Sequence, residues 1–309
     1  MGGVILKPAT AIFLYRRPGL VRELLESVAP YRPDRIWLVA DGPRNAAQEA
    51  ACREARAAAE KGISWPCEVH RVYAGHNLGL RRRIETGLDE IFAREEAAIL
   101  LEEDCHPTED FFPFCGEMLR RYANKEKVGG ISGNCFLPSS LRIETDYVFS
   151  RYLHIWGWAT WARAWRGYRR DRWGWPTGGF RELFPTAAAR EVDYWNRVYR
   201  RVASGEINTW DYPWVADLWR RGMVSVTPAQ NLVHNRGFGP EATNTKDEDV
   251  QTGMERWGRL RPPFRGPEKI HADDFLDRAV WQNHYARMEG RLNLVSRLVR
   301  SLRKRLGRL

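Results

Sequence analysis

The chain is expected to fold as an α/β protein, with a mostly parallel central sheet flanked by helices. Two observations lead there. Short apolar runs of strand length alternate with longer segments of helical periodicity through the first half of the 309 residues. Polar clusters then follow three of those runs: Arg16-Arg17, Asp41-Gly42 and Glu102-Glu103-Asp104. Strands joined by helices imply a parallel sheet. Sheets of that kind bind ligands beyond the carboxyl ends of their strands.

The elements follow in order. Ala11 to Tyr15 (AIFLY) is a strand closed by Arg16-Arg17-Pro18-Gly19, and Leu20 to Val28 has helical spacing. Arg35 to Ala40 (RIWLVA) is a second strand, closed by Asp41-Gly42-Pro43. An Ala-rich helix follows over about Ala46 to Glu60, then a third strand from Cys67 to Tyr73. Leu80 to Phe92 is a helix with Ile84, Leu88, Ile91 and Phe92 on one face. Ala97 to Leu101 (AAILL) is a buried fourth strand that runs into the acidic triplet, and Phe111 to Tyr122 is helical. From Gly129 to about Asn244 the pattern is less regular, with a helix over Pro213 to Arg221. No repeat or linker divides it. Residues 1–250 therefore read as one catalytic domain, 251–290 as a C-terminal extension that is Pro/Gly/Arg-rich over 251–270, and 291–309 as a basic amphipathic helix.

Composition narrows the class. A hydrophobic share of 43% and a charged share of 28% are ordinary for a globular enzyme. Fourteen Trp are not, and most lie between Trp156 and Trp219. Trp usually packs in a core, and its flat face also suits a sugar ring. Five Cys, an odd number without CxxC spacing, speak against a disulfide framework and a structural zinc site. The expectation is a reduced, cytoplasmic protein. Residues 1–20 lack a signal-peptide pattern, and no apolar stretch reaches the ~20 residues that cross a bilayer. The net charge of +10 points to an anionic partner. Without a nucleic-acid motif, phosphorylated substrates or an anionic membrane surface remain.

The acidic triplet is the sharpest local signal. A nucleotide-sugar donor presents a diphosphate, and breaking the anomeric bond adds negative charge to it. A hard divalent cation on one or two carboxylates at a strand end absorbs that charge. The competing reading is a solvated acidic turn ahead of a helix capped by Thr108 or Asp110.

Five segments in order carry a resemblance. AAILLEEDCHPTEDFFPF (97–114) resembles the Glu-Asp-Asp segment of N-acetylglucosaminyltransferase I and its bacterial relatives. NLGLRRRIETGLDEIF (77–92) resembles the Asn-x-Gly helix that precedes the triplet in GT-A enzymes. FSRYLHIWGWATWARAW (149–165), INTWDYPWVADLWRRG (207–222) and TPAQNLVHNRGFGPEATNT (227–245) resemble bacterial family 2-like sugar transferases. The resemblance implies a GT-A fold, the Rossmann-like nucleotide-diphospho-sugar transferase architecture. It also implies an inverting glycosyltransferase that uses Mn²⁺ or Mg²⁺, a UDP- or GDP-sugar donor and a glycan or lipid-linked acceptor in surface glycan synthesis.

By position in these motifs, Asp104 is the expected principal metal ligand, with Glu103 supporting it, although the triplet reads Glu-Glu-Asp here. Asp41 is expected at the base or ribose, and Arg17 at the nucleotide. Their simpler readings are a turn-capping Asp and a solvated Arg. Of Arg81, Arg82 and Arg83, at least one is expected to face the diphosphate at a helix N-terminus, with Arg81 the first candidate. Asp211 in TWDYPW is the expected catalytic base, the rival being a helix cap. Trp156, Gly157 and Trp158 are expected to form the sugar-side wall, while Trp161 and Trp165 sit on the following helix as core. His234 and Gly237-Phe238-Gly239 are expected to close over the donor. Asn244 stands where many relatives carry His.

In 291–309, seven Arg/Lys and no acid accompany apolar residues at three- and four-residue steps. That pattern suits a helix in a membrane interface, peripheral on the inner face, or one packed on protein. The alternatives for the whole chain are a nucleotidyltransferase of similar fold, and a glycan-binding protein without activity.

Overall fold

Four parallel strands build the half of the sheet on which the site depends. They are β1 (Ala9–Leu14), β2 (Arg35–Ala40), β3 (Glu68–Tyr73) and β4 (Ala97–Glu102), lying side by side in the order β3-β2-β1-β4. The computed structural model describes residues 7–170, 175–237 and 253–289. Every residue of β1 is buried, as a central strand covered on both faces requires. β3, at the sheet edge, has no buried residue and exposes Glu68 and Arg71, charges that resist pairing with another sheet.

The crossovers are helical. α1 (Pro18–Val28) has Pro at its first position, and α2 (Glu49–Gly62) is entered through a short 3₁₀ turn over Ala46–Gln48. α3 (Leu80–Arg94) packs its Ile84, Gly87, Leu88 and Ile91 stripe inward. Gly87 is required there, because a Cβ would meet Val39 Cγ1 at 2.7 Å and Phe13 Cε1 at 2.9 Å.

After β4 the topology changes. β5 (Cys105–Pro107) leads into α4 (Phe111–Arg121), and β6 (Val128–Ser132), β7 (Tyr147–Ser150) and β8 (Trp158–Trp161) follow. α5 (Ala162–Arg166), α6 (Phe180–Leu183), α7 (Ala189–Ala203) and α8 (Asp211–Arg220) precede β9 (Val224–Pro228) and β10 (Val233–Asn235). β8 inserts antiparallel between β4 and β6, giving eight strands in the order β3-β2-β1-β4-β8-β6-β9-β7. The sheet is mostly parallel, with antiparallel pairs confined to β4–β8, β6–β8 and β7–β9. β5 and β10 form a separate antiparallel ribbon, with Asn235 opposite Cys105.

Two expectations are corrected. Trp161 ends strand β8 and does not lie on a helix with Trp165, because its backbone pairs with Ala97. The helix expected over Pro213 to Arg221 begins two residues earlier, so Asp211 belongs to its first turn.

Residues 253–289 return to the same core. α9 (Asp274–Val280), capped by Asp273, presents Asp277 to Ser150 Oγ (2.5 Å) and Arg151 Nε (3.0 Å). Among the described residues no helix is long and apolar enough to cross a membrane. The amphipathic segment 291–309 lies outside the described residues, as do Phe238, Gly239 and Asn244.

Candidate functional site

A cavity of about 580 Å³ opens beyond the carboxyl ends of β1, β2 and β4, within the usual size range of ligand sites. The acidic turn forms its floor. Glu103 is folded inward, 4% exposed. Arg17 Nε donates to its Oε1 at 2.5 Å, and the Tyr15 backbone N–H donates to its Oε2 at 2.7 Å. Arg17 Nη2 also reaches Asp104 Oδ2 at 2.8 Å. Burial works against the Arg17 cation, and the Glu103 and Asp104 carboxylates outweigh it, so its pKa rises. The guanidinium thus ties the β1–α1 turn to the end of β4.

Both Glu103 oxygens accept hydrogen bonds, and Glu102, Glu103 and Asp104 all line the cavity. Burial, then the charges of Asp104 and Asp211, push the Glu102 carboxyl up to about 8, against the pull of Arg17. The β10 strand closes on the same turn. Arg236 N donates to the Asp104 carbonyl at 2.8 Å, and Gly237 N to Asn235 Oδ1 at 2.7 Å. A Cβ on Gly237 would collide with the Asp104 carboxylate.

The β2 end supplies a second wall. Asp41 Oδ1 accepts from the Gly42 and Leu78 backbone N–H groups at 2.9 and 2.8 Å. Its Oδ2 accepts from Asn77 Nδ2 at 2.8 Å and Gly79 N at 3.1 Å. Asp41 therefore holds the Asn77–Gly79 turn in place at the mouth of α3, where Gly79 has φ +79°. Arg83, one turn into α3, reaches the cavity and is 6% exposed.

The opposite wall comes from the segment before α8. Ile207, Asn208, Thr209, Trp210 and Asp211 line it, with Trp156 and Ile155 beside them. Asp211 accepts from the Thr209 hydroxyl. Burial pushes the Asp211 carboxyl up, against the pull of Thr209 and the first backbone N–H groups of α8.

Of the residues singled out in the sequence, Arg17, Asp41, Glu103, Asp104, Trp156 and Asp211 meet in this one cavity. Four do not line it. Arg81 turns away to pair with Glu85 at 3.2 Å, and Arg83 takes the inward position. Gly157 has φ +66°, and its carbonyl accepts from Gly133 N at 2.7 Å; a Cβ there would meet Val233 Cγ2 at 2.6 Å, so its glycine serves the chain turn. Trp158 is core, 4% exposed and stacked on Trp210 at 5.5 Å. His234 faces outward and stacks on Trp257 at 4.0 Å, while Asn235 and Gly237 line the cavity. Glu102 and Arg83 had weaker sequence signals: Glu102 is the first acid of the triplet, and Arg83 stands four residues before Gly87 on the inward stripe of α3.

Among the described residues no group of three or more His, Cys, Asp and Glu side chains is set to hold a metal ion. A Mg²⁺-type cation needs less, since it rests on one or two carboxylates and completes its shell with phosphate oxygens and water. Glu102, Glu103 and Asp104 all line the cavity, so the turn offers carboxylates of that kind.

No protein-family model matches the chain, and no curated protein matches it in sequence. Among solved structures it is similar to 4-diphosphocytidyl-2C-methyl-D-erythritolsynthase from Anaerococcus prevotii, at 10% identity and a TM-score of 0.35, over 72% of this chain and 88% of that one. A likeness of that degree assigns no activity, so the functional reading rests on the cavity itself.

Proposed function

We propose that the chain is an inverting, metal-dependent glycosyltransferase that moves a sugar from a UDP- or GDP-sugar to an acceptor hydroxyl. The observation that carries this reading is one cavity lined both by the acidic turn at the end of β4, Glu102 to Asp104, and by Asp211 in the first turn of α8. Asp104 and Glu102 would hold a Mn²⁺ or Mg²⁺ ion, which when bound would supply positive charge to offset that of the leaving diphosphate. Arg17 fixes the Asp104 carboxylate from behind. Asp211 accepts the proton of the acceptor hydroxyl as its oxygen bonds to the anomeric carbon and the bond to the β-phosphate breaks. The proton ends on Asp211, the electron pair on the nucleoside diphosphate, and the anomeric configuration inverts. The acceptor belongs to glycans or lipid-linked glycans, for which the basic 291–309 segment supplies an anionic-membrane contact.

A nucleotidyltransferase would keep an open, Gly-rich basic loop after β1. Here Arg17 closes that turn onto Glu103 and Asp104. The test is a panel of nucleotide sugars incubated with Mn²⁺. Release of nucleoside diphosphate and sugar from a UDP- or GDP-sugar is the expected result. Release of pyrophosphate from a nucleoside triphosphate and a sugar phosphate would assign nucleotidyl transfer instead, and glycan binding without turnover of any donor would assign a binding protein.

A further inference from the structure

Beside the Trp156 wall of the cavity two histidines are buried in an aromatic box that the proposed reaction does not use. His154 is 7% exposed and immediately precedes Ile155 and Trp156, both of which line the cavity. Its Nε2 is closed to solvent and has no hydrogen-bond partner among the described residues. Phe136 meets its ring edge-on at 4.5 Å, and Tyr152, Tyr285 and His284 lie at 6.2 to 6.3 Å. Phe136 is the shared contact. It stacks on His284 at 3.8 Å and meets Trp156 edge-on at 5.9 Å. Its carbonyl accepts from Asn283 Nδ2 at 3.0 Å. Asn283 and His284 belong to a π-helical turn over Trp281–Tyr285 that continues α9. Turns of that kind are rare and are kept mostly at functional sites.

We propose that His154 is a proton-sensitive mount for this wall. Uncharged, it packs against Phe136 and holds Ile155 and Trp156 in place; a proton on it releases them. The inference is independent of which ligand the cavity takes. An imidazolium donates from both ring nitrogens, and a buried charge without acceptors is costly. The nearby carboxylates are already engaged: Arg151, on the same stretch, holds Asp277 at 3.0 Å and Asp274 at 2.5 Å, and Tyr152 holds Glu191 of α7 at 2.5 Å. The other ionisable neighbours bring no negative charge. Burial pushes the Cys135 thiol, next to Phe136, up to about 11, and raises the phenols of Tyr285 and of Tyr194 on α7. His284 brings only like charge. Burial, and then His284, accordingly lower the His154 pKa well below the usual 6.5. The packed form excludes the proton, so it is complete above the ordinary histidine range and is lost as pH falls through the lowered value.

The experiment is fluorine NMR of the full chain made with fluorotryptophan, titrated without ligand from about pH 8 to about pH 4, a range that spans histidine protonation. The Trp156 line is assigned by its loss in Trp156→Phe. Trp65, ahead of β3 and bonded to the Pro33 carbonyl at 3.0 Å, is assigned likewise and serves as the reference. In the wild type the Trp156 line shifts or broadens through one acid transition below the ordinary histidine range, while the Trp65 line stays. In His154→Phe, which keeps a ring but takes no proton, the Trp156 line no longer responds to pH. His154→Gln gives the same result and serves if H154F does not fold. A Trp156 line that stays still while the protein remains folded overturns the inference. A transition that persists in both variants assigns another titrating group and also overturns it. Joint movement of the Trp156 and Trp65 lines marks loss of the whole fold, not release of one wall, and overturns it as well.

Discussion

Asp211 lies in the first turn of α8 and lines the same cavity as Asp104, and the proposed reaction gives it the acceptor's proton. Asp211→Asn keeps the shape and the bond from Thr209 but cannot take a proton. Transfer is expected to fall by about 100-fold or more, the usual size of a lost general base, with donor affinity within about twofold of wild type. Near-normal turnover in steady-state assays would reduce Asp211 to a helix-start residue. The pH profile supplies a second reading of the same group. A base works ionised, so kcat/KM falls as pH drops through its pKa. Burial raises that pKa above the ordinary 3.8, and the acid limb therefore sits above pH 3.8 and is missing from residual D211N activity. Asp211 and Asp104 were named in the sequence from the motifs they stand in, and both line the cavity. Glu102 was named only as the first acid of the triplet, and Arg83 only as one of three candidate arginines. The hydrogen bond that Glu103 accepts comes from Arg17, 86 residues away, which no local pattern shows. Which of three consecutive arginines turns inward depends on how α3 lies over Gly87.

Elements joined by local crossovers could be read from the chain, and elements joined at long range could not. β1 to β4 are six-residue strands separated by helices, and their order follows from right-handed parallel connections. β7, β8 and β10 have three or four residues each, too few for a period to show, and their partners lie far off in sequence. The Trp-rich stretch misleads for the same reason. Trp158, Trp161, Trp165, Trp195, Trp214 and Trp219 are buried in the core, while Trp156 and Trp210 reach the cavity wall. Nor does periodicity reveal how α9 is held. Arg151, with its side chain 4% exposed, pairs with Asp277 at 1% and with the more exposed Asp274 at 2.5 Å. Removing one member of a buried ion pair strands the other, so Asp277→Ala is expected to cost about 3 kcal/mol in urea unfolding. A loss below about 1 kcal/mol would mean that α9 is held by its apolar contacts alone.

At the scale of the molecule, the sheet places every part of the account at one end. The β1 end carries Arg17, the β2 end Asp41 and the β4 end Glu102 to Asp104, while the β10 segment folds back over Asp104 through Arg236 N and Gly237. The second half of the chain adds Trp156 and Asp211 to the lining, so the cavity is built from both halves of the sequence. The central claim is that the acidic turn holds a cation against a nucleoside diphosphate. The most direct test is calorimetry of UDP and GDP, with and without Mn²⁺, on the wild type and on Asp104→Ala. Binding of one of them should strengthen about tenfold or more with Mn²⁺ in the wild type and be indifferent to it in the variant. Equal diphosphate affinity with and without metal in the wild type would contradict the account.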